Sequence, residues 1–136
     1  MTTQTSTPIF YPELLYRDAD AGIRWLESVL GCERREEHRD DDGNVVHAEL
    51  VFRGAVVMVG TAGVGREPFS SLPAGGCLLY CGIDDVDALY ERVREAGGDI
   101  AMDITDTDYG SRDFTVRDPE GNLWAFGTYR PQVEEG

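Results

Sequence analysis

The chain contains no lysine; its twelve basic residues are all arginine. Schiff-base catalysis and P-loop phosphate binding both need a lysine amine, so neither chemistry is open to it. Positive charge is also outnumbered, by 26 aspartates and glutamates, and the formal charge is -14. Such a chain repels a phosphate backbone, which excludes nucleic acid as a partner. No apolar run is long enough to span a bilayer, and no apolar segment of signal-peptide kind is present. The expectation is a cytoplasmic protein with no membrane partner. Cysteine is scarce. Cys32, Cys77 and Cys81 are odd in number and have no disulfide rhythm. Cys77-x-x-x-Cys81 has the look of a metal or redox pair, yet it lies in an apolar strand, so all three are expected to be buried, reduced, structural thiols.

What the chain does have is enough apolar material for one core: 136 residues, of which 41% are hydrophobic. A single domain over 1–136 is expected. Residues 9–16 read as a strand, with Pro12 marking an edge. Asp18 or Asp20 caps a helix whose apolar positions Ile23, Leu26, Val29 and Leu30 have helical spacing and which stops at Gly31. Strands follow over 32–39, 45–52 and 55–59, separated by the Asp40 to Asn44 turn and by Arg53-Gly54. Residues 62–76 are rich in Gly, Pro and Ser and read as a linker. The pattern then repeats. Residues 77–83 form a strand, Asp84 or Asp85 caps a helix with Val86, Leu89, Val93 and Ala96 on one face, and Gly97-Gly98 ends it. Asp18 falls on Asp85, Gly31 on Gly98 and Tyr11 on Leu78 at one constant offset. Two copies of one β-α-β-β-β unit, over 8–61 and 77–130, are expected to share a core.

The stretch YGSRDFTVRDPEGNLWAFGTY, from Tyr109 to Tyr129, is the most telling. Phe114 and Val116 alternate with Asp113, Thr115 and Arg117, as in a half-buried strand. Asp118 to Gly121 supplies turn chemistry, and a second strand carries Trp124 and Phe126. The DPEGN turn with the tryptophan beyond it resembles the last hairpin of the vicinal-oxygen-chelate superfamily. That superfamily includes glyoxalase I, the extradiol dioxygenases and the bleomycin resistance proteins. The resemblance extends over residues 9–130. It implies an α+β fold of two paired βαβββ modules, each a curved sheet with a helix on its convex side, whose concave faces enclose a cavity. It also implies a homodimer.

In metal-dependent members, as the resemblance implies, a histidine lies seven residues ahead of the Asp before each helix, and a carboxylate sits on the closing strand. Here those positions hold Tyr11, Leu78 and Ala125, and the strand of residues 55–59 offers only apolar side chains. Hard divalent ions need oxygen or imidazole donors, so neither metal nor other cofactor is expected. His47 and Glu49 share a strand face, with His38 near in sequence, but two donors do not close a site; a half-exposed strand histidine is the plainer reading. Alternation about the apolar positions turns Tyr11, Glu13, His47, Glu49, Tyr80, Asp113 and Thr115 towards the cavity, with Arg117 opposing the acids. Trp124 and Phe126 are expected in the core, and Trp25 either there or at a dimer contact. Tyr109 and Arg112 stand at the hairpin entrance, either as ligand contacts or as loop residues.

No nucleophile-base pair with an orienting third group is legible, so no catalytic residue is assigned. The character is closest to the metal-free bleomycin-resistance members: a protein that binds a small cationic or aromatic ligand, such as an antibiotic, without transforming it. The alternative is a metal-dependent glyoxalase-type lyase or a dioxygenase with a displaced metal site. An unrelated metabolite as the ligand also stays open.

Overall fold

Two ten-residue helices set the frame of the computed structural model, which describes residues 7–133. Helix α1 is Ala19–Ser28 and helix α2 is Val86–Glu95; their ends are related by the same offset as Asp18 and Asp85. The Asp18 carboxylate accepts the amide of Ala21 at 3.1 Å, meeting one of the free donors of the first turn. Asp85 also occupies the N-cap position, but its carboxylate pairs with Arg53 from the other module instead. Past α1, Gly31 takes φ +76°, and Arg92 from α2 lies against it with its Nε 3.2 Å from the Val29 carbonyl. A side chain at position 31 would be strained and would meet that guanidinium.

Each helix covers one face of a four-stranded sheet. The first sheet has the order β1 (Glu13–Tyr16), β4 (Ala55–Thr61), β3 (Val45–Phe52), β2 (Glu33–Arg39). The second repeats it with β5 (Leu78–Gly82), β8 (Leu123–Gly127), β7 (Arg112–Arg117), β6 (Asp99–Asp106). In both, the first and last strands of the module run parallel and the other pairs antiparallel. The duplicated β-α-β-β-β order is thus present, in an α+β fold. Alternation explains the faces. Leu14, Tyr16, Ala48, Leu50 and Val59 are buried with Ile23 and Leu26 of α1; Phe114, Val116, Trp124 and Phe126 are buried with Val86, Leu89 and Val93 of α2. These residues form one continuous core, bridged between modules by Phe52 against Phe126 and Trp25 against Trp124, at ring separations of 5.8 and 6.2 Å.

The DPEGN turn does more than reverse the chain. Asp118 is buried, and its Oδ1 accepts the amides of Glu120 and Asn122, both at 3.0 Å. Its Oδ2 accepts Tyr16 OH from the first module at 2.7 Å, Asn122 Nδ2 at 3.0 Å and Trp124 Nε1 at 3.3 Å. A buried carboxylate is costly alone, and here five donors meet it. Beside it, Glu120 accepts the amide of Asp18 and pairs with Arg17. The second module's hairpin turn therefore fastens the start of α1.

Three sequence expectations need correcting. Residues 9–12 are not strand: β1 begins at Glu13, and Ile9 and Phe10 stand out in solvent, Phe10 91% exposed. Pro12 has no amide to add to a ladder, although its carbonyl accepts Met58 N. Strand β4 runs on to Thr61, two residues beyond the expected end. The segment 62–76 contains one short 3-10 turn, Phe69–Ser71. Cys77 is exposed, because it precedes β5; Cys32 is buried and Cys81 partly so. No helix among the described residues is long and apolar enough to cross a membrane.

Candidate functional site

Each sheet buries one face under its helix and leaves the other open, and the strand register sets which side chains meet there. On the first sheet Glu13, Met58, Glu49 and Glu36 form one cross-strand row. His47 and His38 are direct partners in the next row. Their rings stack at 6.2 Å, and His47 Nε2 lies 2.8 Å from Glu49 Oε2. Glu36 Oε2 is 3.5 Å from His38 Nε2. Three carboxylates thus share a row with no arginine beside Glu13 or Glu49 among the ion pairs of the described residues.

On the second sheet, Tyr80, Ala125 and Thr115 form a row, and Gly82, Gly127 and Asp113 form the next. The two glycines leave room that the neighbours fill. Asp113 Oδ1 stands 2.0 Å from where a Gly127 Cβ would be, and Tyr80 OH 2.7 Å from it. Asp113 accepts Ser111 Oγ on one oxygen and Tyr109 OH, at 3.1 Å, on the other. Tyr80 OH donates to the Tyr129 carbonyl at 2.7 Å. Burial raises the Tyr80 phenol above its ordinary range, and the hydrogen bond to Asp113 raises that of Tyr109. Both are therefore neutral donors at physiological pH. Arg117 is paired with Asp99 at 3.1 Å, which leaves its charge matched and the acids of the face unopposed by it.

Between the modules runs an apolar groove of about 300 Å³. Phe10, Tyr11, Phe52, Leu79, Ile83 and Trp124 line it, together with Tyr80 at its junction with the second open face. The residues expected at the site thus fall in three places. Glu13, His47 and Glu49 lie on the first open face; Tyr80, Tyr109, Asp113 and Thr115 lie together on the second; Tyr11 and Tyr80 line the groove. Arg112 is not brought to any of them. One residue before Asp113, it points the other way, and its guanidinium is held by Asp87 of α2 and Asp106 of β6, each at 3.0 Å. Trp124 and Phe126 are in the core. Sequence reasoning passed over Tyr129 and Ser111, which shape the second face, and Phe10, whose only signal was an apolar stretch broken by proline.

The donor set does not suit a divalent ion. Where the resemblance places ligands stand a groove-lining tyrosine (Tyr11), an exposed leucine (Leu78) and an alanine flanked in register by Tyr80 and Thr115 (Ala125). Among the described residues no three His, Cys, Asp or Glu side chains are grouped to hold a metal. His47 and Glu49 satisfy each other.

Comparison with known proteins agrees with the fold. The family profile of the Glyoxalase/Bleomycin resistance protein/Dioxygenase superfamily matches residues 9–126. The crystal structure of TioX from Micromonospora sp. ML1 is 33% identical and superposes with a TM-score of 0.76 over 91% of this chain and all of that one. A glyoxalase/bleomycin resistance protein/dioxygenase from Nocardioides has 20% identity and a TM-score of 0.70, over 98% of this chain and 91% of its own; that likeness concerns the fold. An uncharacterized protein of Mycobacterium bovis is 27% identical over 88% of this chain and 82% of its own length.

Proposed function

Because the chain belongs to the glyoxalase/bleomycin resistance protein/dioxygenase superfamily, we propose that it is a small-molecule-binding protein of the bleomycin-resistance type, which sequesters a cationic or aromatic ligand without a metal. One observation carries the reading. Among the described residues Glu13, Glu49 and Asp113 have no arginine partner; they stand on open sheet faces, and Tyr80 belongs both to the second of these faces and to the wall of the apolar groove. Carboxylates in a partly desolvated recess attract a cation and speed its capture, and the effect weakens as salt rises. The groove accepts a flat, apolar portion of the same molecule, with the half-exposed Tyr11 and Tyr80 supplying ring faces. A bleomycin-type glycopeptide, which combines positive charge with planar rings, fits both requirements.

The ligand-binding residues of this reading are Tyr11, Glu13, His47, Glu49, Tyr80, Tyr109, Asp113 and Thr115. A homodimer completes the site. Ile9, Phe10 and Leu78 are strongly exposed, and a second copy that covers them also closes the open faces into cavities. Sedimentation at micromolar concentration reads this directly, and a monomer there removes the dimer from the account.

Calorimetric titration with metal-free bleomycin is the test. Binding at micromolar Kd or tighter is expected, weakened by salt and by Glu13→Gln or Glu49→Gln. No binding to any cationic glycopeptide, beside tight binding to an anionic thiol conjugate, would overturn the proposal.

A further inference from the structure

The acids of the two open faces differ in their surroundings. Glu49 has His47 at hydrogen-bonding distance, whereas Asp113 has only neutral hydroxyls. Three tyrosines cluster beside that carboxylate: Tyr109 donates to it, the Tyr80 hydroxyl shares the space over Gly127 with it, and Tyr129 packs against both rings. Tyr129 is the middle one, 6.4 Å from Tyr80 at 53° and 6.4 Å from Tyr109 at 90°. All three rings are well exposed, Tyr109 the most at 66%. They are also fixed. Tyr80 donates to the Tyr129 carbonyl, Tyr109 donates to Asp113, and Ser111, itself buried, accepts the Tyr129 amide while donating to Asp113. Gly127 has no side chain, so the carboxylate and the Tyr80 hydroxyl lie low over the sheet at that point.

Among the described residues no cation is paired with Asp113. Arg112 is taken by Asp87 and Asp106, and Arg117 by Asp99. Arg130 lies over Gly82, the register neighbour of Gly127, and its Nη2 is 3.5 Å from Asp84. An anion held by hydroxyls beside three clustered, exposed tyrosine rings is an arrangement that takes a compact organic cation. We propose that Tyr80, Tyr109 and Tyr129, closed on one side by Asp113, form a cage for the alkylammonium group of the bound ligand. This deepens the binding function proposed above and rests on it for the remainder of the ligand. The cage would hold a trimethylammonium or a protonated alkylamine, and discriminates against neutral groups of the same shape, which gain neither the carboxylate nor the ring quadrupoles.

The test uses the full chain and four probes: butyltrimethylammonium, its neutral isostere 3,3-dimethylbutyl methyl ether, and bleomycin with and without its cationic tail. Titration followed by tyrosine fluorescence or calorimetry is expected to show the ammonium binding at least about tenfold more tightly than the ether. Asp113→Asn and Tyr109→Leu should each remove most of that discrimination. Both replace partly exposed side chains, and circular dichroism checks that the variants fold. Arg130→Gln, which removes a nearby like charge, should tighten the ammonium by about two- to threefold. Equal binding of ammonium and ether, or discrimination that survives Asp113→Asn, overturns the cage. If bleomycin binds equally well with and without its tail, the cage is refuted and the binding function stands. If the ammonium is caged but neither glycopeptide binds, the cage stands and the bleomycin-type reading falls.

Discussion

Replacing Asp118 tests whether the closing hairpin holds the two modules together. Its carboxylate accepts five hydrogen bonds, and three come from buried side chains: Tyr16, Asn122 and Trp124. In Asp118→Ala those three donors lose their acceptor where water has poor access. At ~1–3 kcal/mol per orphaned buried group, and with some relief from a water entering the vacated space, the cost is about 3–6 kcal/mol. Against the ~5–15 kcal/mol that holds a domain of this size, that is a large share. Tyr16→Phe removes one donor and leaves the others in place, for about 1 kcal/mol. The two changes share one interaction, so the double mutant should be less destabilised than the sum, by roughly 1 kcal/mol. Urea unfolding followed by tryptophan fluorescence measures all three, and Trp124 reports its own lost hydrogen bond. A cost below about 1 kcal/mol for Asp118→Ala, or strict additivity with Tyr16→Phe, would show that the carboxylate is not the tie described here.

Three further outcomes follow from the same structure. Ellman's reagent at pH 8 should find one fast thiol, the exposed Cys77, and Cys77→Ser should abolish it; burial pushes Cys32 up to about 12 and Cys81 to about 11, so a second fast thiol contradicts their placement. Those two thiols and the Tyr16 phenol, raised chiefly by burial and then by Asp118, keep protons in the fold that the unfolded chain gives up. Stability should therefore be level below the ordinary thiol value of 9.0 and fall as pH rises beyond it, by up to ~1.4 kcal/mol per pH unit per group; urea midpoints that rise between pH 9 and pH 10.5 would refute this. Arg92→Ala deletes the bonds from α2 to the Val29 and Ser28 carbonyls at the end of α1 and should cost about 1 kcal/mol, whereas an unchanged urea midpoint would mean that this cap is idle.

Much of the architecture is legible in the sequence because its signals are local. Asp18 and Asp85 sit at the N-caps, the glycines after each helix end them, and period-two alternation assigns Leu14, Tyr16, Ala48, Leu50, Phe114 and Val116 to the core. The turn chemistry is legible too, but its consequence is not. Asp40 and Asp118 both begin a D-x-x-G-N turn, and both accept amides two and four residues on. One lies at an exposed hairpin; the other is buried because Tyr16, 102 residues away, comes to meet it. No local pattern distinguishes them. Arg112 is the converse case: its place at the hairpin entrance offers it as a ligand contact or a loop residue, while strand alternation turns it away from Asp113 and towards Asp87 of α2. Tyr129 lies past the end of its strand, and its place beside Tyr80 depends on how the chain returns over β5.

Central to the proposed function is that the protein holds its ligand without metal and without chemistry. Equilibrium dialysis of the EDTA-treated protein against metal-free bleomycin, followed by mass spectrometry of the retained ligand, tests it most directly. The account predicts stoichiometric retention of a ligand of unchanged mass, undiminished by EDTA. Retention only after a divalent metal is restored, or recovery of the ligand as a product of altered mass, would contradict it.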